Sequence, residues 1–350
     1  MADRKRWGVV LAGGVGSRFW PLSTPERPKQ FLPLATERPL IVDTIDRLRP
    51  LVTPEHTLVL TSGPLAAETA RLGLVPRENI LVEPRAAGTG AALAWAATEV
   101  ERRSSRGAIM LCVHADWSIG SADGFRAALQ KAADAAESGA ALVTVGIVPT
   151  RPDPGFGYIH PGREVSPGVR EVERFLEKPD RARAEQLIKQ GYLWNSGIFV
   201  WRAGDLLDEI RALTPEVRPG LEAIAAGERT AERFFGAVRP ISIDEGVLER
   251  SHRVLVIAGD FGWDDVGTWA ALRRVRTLDG SGNAIHGPGH AVATRDSVVY
   301  SEGGAVVLYG VEGLVVVVRD GLTLVTTVEA SADLKKLLEL LPSPLGRAKS

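Results

Sequence analysis

Leu11-Ala-Gly-Gly-Val-Gly-Ser-Arg-Phe-Trp-Pro-Leu22 closes the first apolar run of the chain, Gly8–Ala12, and Pro28-Lys-Gln-Phe31 follows shortly after. A strand that runs into Gly13, Gly14 and Gly16 presents backbone N–H groups with no side chain in front of them. Main chain of that kind can approach a phosphate closely. Two common phosphate loops do not match. A dinucleotide fingerprint needs a third glycine where Phe19 stands, and a P-loop needs Gly-Lys-Ser or Gly-Lys-Thr. Instead a guanidinium, Arg18, and an ammonium, Lys29, flank the turn. The glycines alone equally fit a tight strand–helix turn; the two cations tip the reading toward an anionic ligand.

Outward from this turn, short apolar runs alternate with amphipathic stretches. The runs Gly8–Ala12, Leu58–Thr61, Ile80–Val82, Ala108–Val113 and Ala141–Ile147 read as strands. Helical patterns cover Pro39–Arg49, Pro64–Leu72, the Ala-rich Thr89–Ser104 and Ser121–Ser138, the last with Ser121 as its N-cap. Strands apolar on both faces and separated by helices predict a Rossmann-like α/β fold with a mostly parallel, mixed sheet flanked by helices. Ligands of such sheets lie beyond the carboxyl ends of the strands. From Pro149 to Asp265 the order is less regular, with strands at Tyr158–Pro161, Glu171–Leu176 and Gly197–Trp201, a helix near Asp180–Gln190, and helical patterns at Ala203–Ala212 and from Glu216 to about Phe235. This stretch reads as an insertion that completes the site. The turn cluster Leu278-Asp-Gly-Ser-Gly-Asn283 marks a boundary, so residues 1–282 are expected to form the catalytic domain. Residues 283–350, with β-rich segments every 8–10 residues, are expected to form a small β domain serving packing or dimerisation, closed by a helix at Lys335–Leu341 and frayed beyond it.

The chain has 350 residues and a net charge of −1, from 42 Lys and Arg against 43 Asp and Glu. Such a molecule projects no field that gathers nucleic acid or an anionic membrane. No apolar run reaches the roughly 18 residues of a membrane span. The basic start followed by Trp7–Ala12 is too short for a signal peptide. Cys112, the single cysteine, sits in an apolar run and reads as a buried small hydrophobe. A cytoplasmic protein is expected.

At this point the sequence resembles the sugar-1-phosphate nucleotidylyltransferases, through Gly13-Gly-Val-Gly-Ser-Arg-Phe-Trp-Pro-Leu-Ser23 with Pro28-Lys-Gln-Phe31. The Phe-Trp-Pro-Leu-Ser and Pro-Lys-Gln-Phe details are similar to the mannose-1-phosphate guanylyltransferase branch. The likeness continues in order through Glu83-Pro84, Ala115-Asp116, Phe156-Gly-Tyr-Ile159, Phe175-Leu-Glu-Lys-Pro179, Trp194-Asn-Ser-Gly-Ile-Phe199 and Trp263-Asp-Asp-Val-Gly-Thr-Trp269. The chain departs from the usual pattern at Gly88-Thr-Gly-Ala91 and at His114-Ala-Asp-Trp117.

The resemblance implies transfer of a nucleotide from GTP to mannose 1-phosphate, giving GDP-mannose and diphosphate with Mg²⁺. Another sugar 1-phosphate, UTP or dTTP, or a non-catalytic sugar-nucleotide sensor, are the alternatives. The nucleophile would be a phosphate oxygen already ionised at neutral pH, so no general base and no covalent intermediate are needed. Mutual repulsion of two anions is the obstacle, and cations must relieve it. Arg18, Lys29, Lys178 and Asp265 are the expected catalytic residues. Nucleotide contacts are expected from Leu11, Ala12, Gly13, Gly14, Gly16, Ser17, Arg18, Glu83, Gly88, Thr89 and Asp116. Sugar contacts are expected from Gly157, Tyr158, Glu177, Lys178 and Asn195. Asp116 and Asp265 follow strands and are the metal candidates; a lone Asp there also fits a helix N-cap, and Asp264 could be such a cap or a supporting group. Glu83 has the acceptors for guanine's Watson–Crick edge, and Thr89 would cap the helix Thr89–Ser104. His114, His160, Trp7, Trp20, Trp95 and Trp201 read as structural, and Trp263 and Trp269 as supports of the Asp265 loop. A homodimer is expected, with no nucleic-acid or membrane partner.

Overall fold

The computed structural model describes residues 5–14, 16–139 and 141–342. They form two compact units, each discontinuous in sequence: 1–13, 45–114 and 121–263 in one, and 14–44, 115–120 and 264–350 in the other. No helix among the described residues is long and apolar enough to cross a membrane.

The first unit is built on a nine-stranded sheet in the order Ile80–Glu83, Thr57–Ser62, Arg6–Leu11, Ile109–His114, Leu193–Arg202, Leu142–Ile147, Val254–Gly259, Val169–Leu176, Tyr158–Ser166. The first four strands run parallel, as their unbroken apolar runs predict. Leu193–Arg202 then lies antiparallel between Ile109–His114 and Leu142–Ile147, in the middle of the sheet. The segment expected to be an insertion therefore supplies strands of the same sheet. The helix Gly88–Arg103 is buried along most of its length, and its alanines let it pack among the sheet and the helices Ala203–Leu213 and Ala231–Ala237. The helical pattern from Glu216 is two helices, Arg218–Ala225 and Ala231–Ala237, parted at Gly227 with φ of +93°. Ser121 Oγ accepts the N–H of Gly124 and caps Ala122–Gly139, as expected. Cys112, Trp7, Trp95 and Trp201 are core residues, and burial raises the Cys112 thiol well above its usual range.

The second unit draws together segments from both sides of the boundary expected at 282/283. Phe19, Trp20, Leu22, Leu32, Leu34 and Leu40 share one core with Trp269, Leu272 and the strands Ala284–His286, Val298–Ser301, Leu314–Arg319 and Leu322–Thr327. Arg276 fastens the early segment by donating to the carbonyls of Leu34, Pro33 and Thr36. The turn cluster exists, with Asp279 accepting from the N–H groups of Ser281 and Asn283, but it is a turn inside the unit. Packing between segments so distant in sequence leaves no local signal that a composition shift could reveal. The β-rich part winds between two small sheets with parallel neighbours, Ala284 beside Val298 and Val298 beside Val315 in one and Gly289 beside Val306 in the other, and Leu322–Thr327 closes the first by pairing antiparallel with Leu314–Arg319. A helix, Leu334–Leu340, follows. The expected fraying beyond it concerns residues 343–350, outside those described.

Candidate functional site

In the second unit the glycine turn rests directly on Lys29. Gly16 has φ of +66°, and a Cβ there would collide with the Lys29 Cβ, so only glycine fits. The Gly16 carbonyl accepts from Ser23 Oγ at 2.7 Å and from the Phe19 N–H at 3.2 Å, which fixes the turn. Gly14 is exposed with nothing within 4 Å of its Cβ direction, so its backbone is open to a ligand. Arg18 is exposed. The Ser17 side chain lies outside what is described.

Lys29 is only 6% exposed, and its Nζ donates to Asp116 Oδ2 at 3.0 Å and to the Asp265 carbonyl. A buried ammonium needs such partners, because desolvation without them costs several kcal/mol. Asp265 is half-buried and its Oδ1 accepts the Gly267 N–H at 3.2 Å. A side chain at Gly267 would come within 2.5 Å of Asp265 Oδ2 and 3.4 Å of Arg18 Nη1, so these two groups converge over a residue that must stay bare. Lys29, Asp116, Asp265 and Arg18 are thus brought together. Asp264, left open between cap and support, is a support: it accepts from the Val266 N–H at 2.9 Å and from Arg274 at 2.6 and 3.0 Å. Trp20 and Trp269 are buried, with Trp269 Nε1 donating to the Trp20 carbonyl.

In the first unit, Gly13 is exposed, and its Cβ direction points to Glu83 Oε1 at 3.5 Å. Glu83 ends the strand Ile80–Glu83, half-buried, and burial alone acts on its carboxyl. Burial pushes its carboxyl up to about 7. Leu11 and Ala12, expected as nucleotide contacts, offer no side chain to a ligand. Both side chains are buried, and the Ala12 N–H is spent on the Leu60 carbonyl at 2.8 Å, so they support the loop.

Thr89 is corrected as well. The helix begins at Gly88 with no side-chain cap, and Thr89 Oγ1 accepts the N–H of Ile243 at 2.8 Å. Gly88, at φ of +80°, and Gly90 lie so close to the Ile241 carbonyl that a Cβ on Gly88 would strike it. The start of the helix thus packs against Ile241–Ile243.

Glu177 and Lys178 are exposed and paired at 2.7 Å, which raises the Lys178 ammonium. Lys178 has φ of +42°, a strained conformation for a residue with a side chain. The Asn195 N–H donates to the Gly157 carbonyl at 2.8 Å, and a Cβ on Gly157 would sit 2.8 Å from Glu177 Oε2. Gly157, Glu177, Lys178 and Asn195 therefore form one group. Tyr158 does not join it: its ring is fully buried, and its hydroxyl accepts from the Asp153 N–H and donates to the Asp153 carbonyl. Ile159 beside it is buried as well, so this end of the strand lies wholly in the core. Sequence reasoning missed Asp244, whose Oδ1 accepts from Asn195 Nδ2 at 2.6 Å. No local motif marks it, since its partner is 49 residues away. His160 stacks on Tyr192 and pairs with Glu173, as a structural histidine does. Trp263 is buried against Phe156.

A family model described as nucleotidyl transferase matches residues 7–281. The chain is 38% identical over 355 residues to mannose-1-phosphate guanylyltransferase of Escherichia coli K12, covering 97% of this chain and 74% of that protein. It is 37% identical over 356 residues, with the same coverage of each, to mannose-1-phosphate guanylyltransferase ManC of Salmonella typhimurium LT2. The crystal structure of mannose-1-phosphate geranyltransferase from Thermus thermophilus superposes with a TM-score of 0.89 at 35% identity, covering 96% of this chain and 98% of that one. The glycine turn, the buried lysine on its two aspartates and this likeness along nearly the whole length place the chain in the nucleotidyl transferase family, among the mannose-1-phosphate guanylyltransferases.

Proposed function

We propose that the chain joins mannose 1-phosphate to GTP, releasing diphosphate and GDP-mannose. The observation that carries this reading is the near-full-length identity to guanylyltransferases acting on mannose 1-phosphate, on a chain that retains every cation the chemistry needs. A sugar-phosphate oxygen attacks the α-phosphorus of GTP. The new P–O bond forms as the bond from that phosphorus to the β-phosphate bridge breaks, and diphosphate leaves with the electron pair. No proton must be removed from the nucleophile, because a phosphomonoester is ionised at neutral pH.

The chain's work is to position and to neutralise. Arg18, the backbone at Gly13, Gly14 and Gly16, and Ser17 take the triphosphate. Lys29 offsets charge on it, and Lys178 offsets charge on the sugar phosphate. Glu177 and Asn195, beside Gly157, take sugar hydroxyls. Glu83 accepts from guanine. Asp116 and Asp265 are the groups that would hold Mg²⁺. They supply hard oxygen donors. That fits Mg²⁺, which is commonly held by one or two carboxylates together with substrate phosphates and water. When bound, such an ion withdraws charge from the phosphates.

A cytoplasmic homodimer completes the reading. The β-rich part of the second unit leaves Val292, Val307 and Tyr309 exposed, with Val292 and Tyr309 side by side, which supports a role in self-association. Diphosphate release from purified protein, assayed with Mg²⁺ across GTP, UTP, dTTP and ATP and several sugar 1-phosphates, tests the function. Preference for any pair other than GTP with mannose 1-phosphate would replace it.

A further inference from the structure

The segment Ile241–Asp244 ties together two parts of the first unit that the chemistry uses. At one end the Gly90 N–H donates to the Ile241 carbonyl at 3.1 Å, the Ile241 N–H donates to the Ala87 carbonyl at 3.2 Å, and Thr89 Oγ1 holds the Ile243 N–H. The segment is thus stapled to the first turn of Gly88–Arg103. At the other end stands Asp244, at the start of a turn of π-helix, Asp244–Leu248. Short π segments recur at functional sites.

Asn195 has two nearly isosteric faces, a carbonyl and an amino group, which a sugar hydroxyl reads oppositely. The amino face turns to Asp244, with Asn195 Nδ2 donating to Asp244 Oδ1 at 2.6 Å. The Asn195 Oδ1 then faces the other way, accepting the Gly197 N–H at a long 3.4 Å. Its second lone pair and the second Nδ2 hydrogen stay in reserve. Asn195 is also the residue whose backbone pins Gly157 next to Glu177.

Resting on the functional reading above, we propose that Asp244 is the positioning residue of the sugar side: it fixes which face of the Asn195 amide meets the sugar, on a segment anchored to the start of the helix Gly88–Arg103. Glu177 and Glu245 also act on the Asp244 charge, and burial raises its carboxyl. The group thus stands in a site already crowded with negative charge. A carboxylate kept there has a partner that justifies it, and that partner is Asn195.

The test is a double-mutant cycle read on KM for the sugar 1-phosphate and KM for the triphosphate separately. Asp244→Ala and Asn195→Ala should each raise the sugar KM at least tenfold and leave the triphosphate KM within twofold. The double variant should be no worse than Asn195→Ala alone, because one group acts through the other. Asp244→Asn keeps an acceptor for Asn195 Nδ2 and should recover most of the loss. Additive single effects, an unchanged sugar KM in a variant that melts like wild type, or equal rises in both KM values would overturn the proposal. Should Asp244→Ala not fold, Asp244→Asn and Asp244→Ser carry the same comparison. Wild-type turnover judges the functional reading by itself. If another sugar 1-phosphate proves to be the substrate, that reading falls while the same cycle, run with that sugar, still decides the role of Asp244.

Discussion

Arg274 grips Asp264 with two nitrogens, Nε at 2.6 Å and Nη2 at 3.0 Å, and the same carboxylate holds the N–H of Val266. Val266 has φ of +46°, where a β-branched residue is strained, and it directly follows Asp265. The ion pair therefore maintains the loop that aims Asp265 toward Arg18.

Arg274→Met should cost stability and metal response together. The Asp264 side chain is only 7% exposed, so losing Arg274 removes a two-pronged counter-charge from a buried carboxylate. A fully buried pair broken this way costs about 3–5 kcal/mol. Arg274 is 36% exposed, so about 2 kcal/mol is the fitting figure here. Urea unfolding measures the first effect. A Mg²⁺ titration of activity should show a higher half-saturating concentration, and metal binding by calorimetry should weaken in parallel. An unchanged melting curve would show that the pair does not hold the loop.

Lys29→Met removes the ammonium that Asp116 and the Asp265 carbonyl share. Gly16 packs on the Lys29 stem, leaving a replacement side chain no other path. Loss of one preorganised charge-stabilising group costs about 10²–10³ in kcat. Saturating kinetics should show that loss while the KM for the sugar phosphate moves little. A kcat within about threefold of wild type would take Lys29 out of the chemistry.

The strands up to Ile147 were legible because each is a short apolar run between helical patterns, and the glycine turn because its charges are local. What stayed hidden depends on contacts far apart in sequence. Leu193–Arg202 carries Trp194-Asn-Ser-Gly in its first half and looks too polar for the centre of a sheet, yet both its neighbours are central strands. Phe19 and Trp20 directly follow the glycine turn, and the sequence gives no sign that they are core partners of strands some 280 residues later. Tyr158 and Ala12 stand beside residues expected at the site, but the ring of one is buried and the N–H of the other is taken by the Leu60 carbonyl. Asp244 and Arg274 were invisible for the converse reason: a single carboxylate or arginine acquires a role only through the partner it meets.

Lys178→Ala should separate binding of the two substrates. The side chain is 65% exposed and its pairing with Glu177 is an exposed one, worth little to the fold. Melting temperature should therefore stay near that of wild type. The KM for the sugar phosphate should rise by about 10–100-fold, as loss of a charge-assisted contact predicts, with a far smaller change for the triphosphate. Equal rises for both substrates would contradict the assignment of Lys178 to the sugar phosphate.

Glu83→Gln should alter two pH profiles in opposite senses. Burial raises the carboxyl from 4.5 to about 7, so between those values the folded chain binds a proton that the unfolded chain has released. Its contribution to stability is complete below the unfolded value and declines as pH rises toward the folded one. The decline is at most about 3 kcal/mol, and less because the group keeps some contact with water. Glutamine does not ionise, so the variant should gain on wild type as pH rises through this window. GTP binding should run the other way, because only the ionised carboxylate accepts both N–H groups of guanine. Wild-type KM for GTP should rise as pH falls from about 8 to about 6, and the variant should be flatter. At about pH 8 the variant should lose roughly 10–100-fold of its preference for GTP over ATP. A pH-independent GTP preference, equal in the two proteins, would remove Glu83 from base recognition and leave its raised carboxyl as a consequence of burial alone.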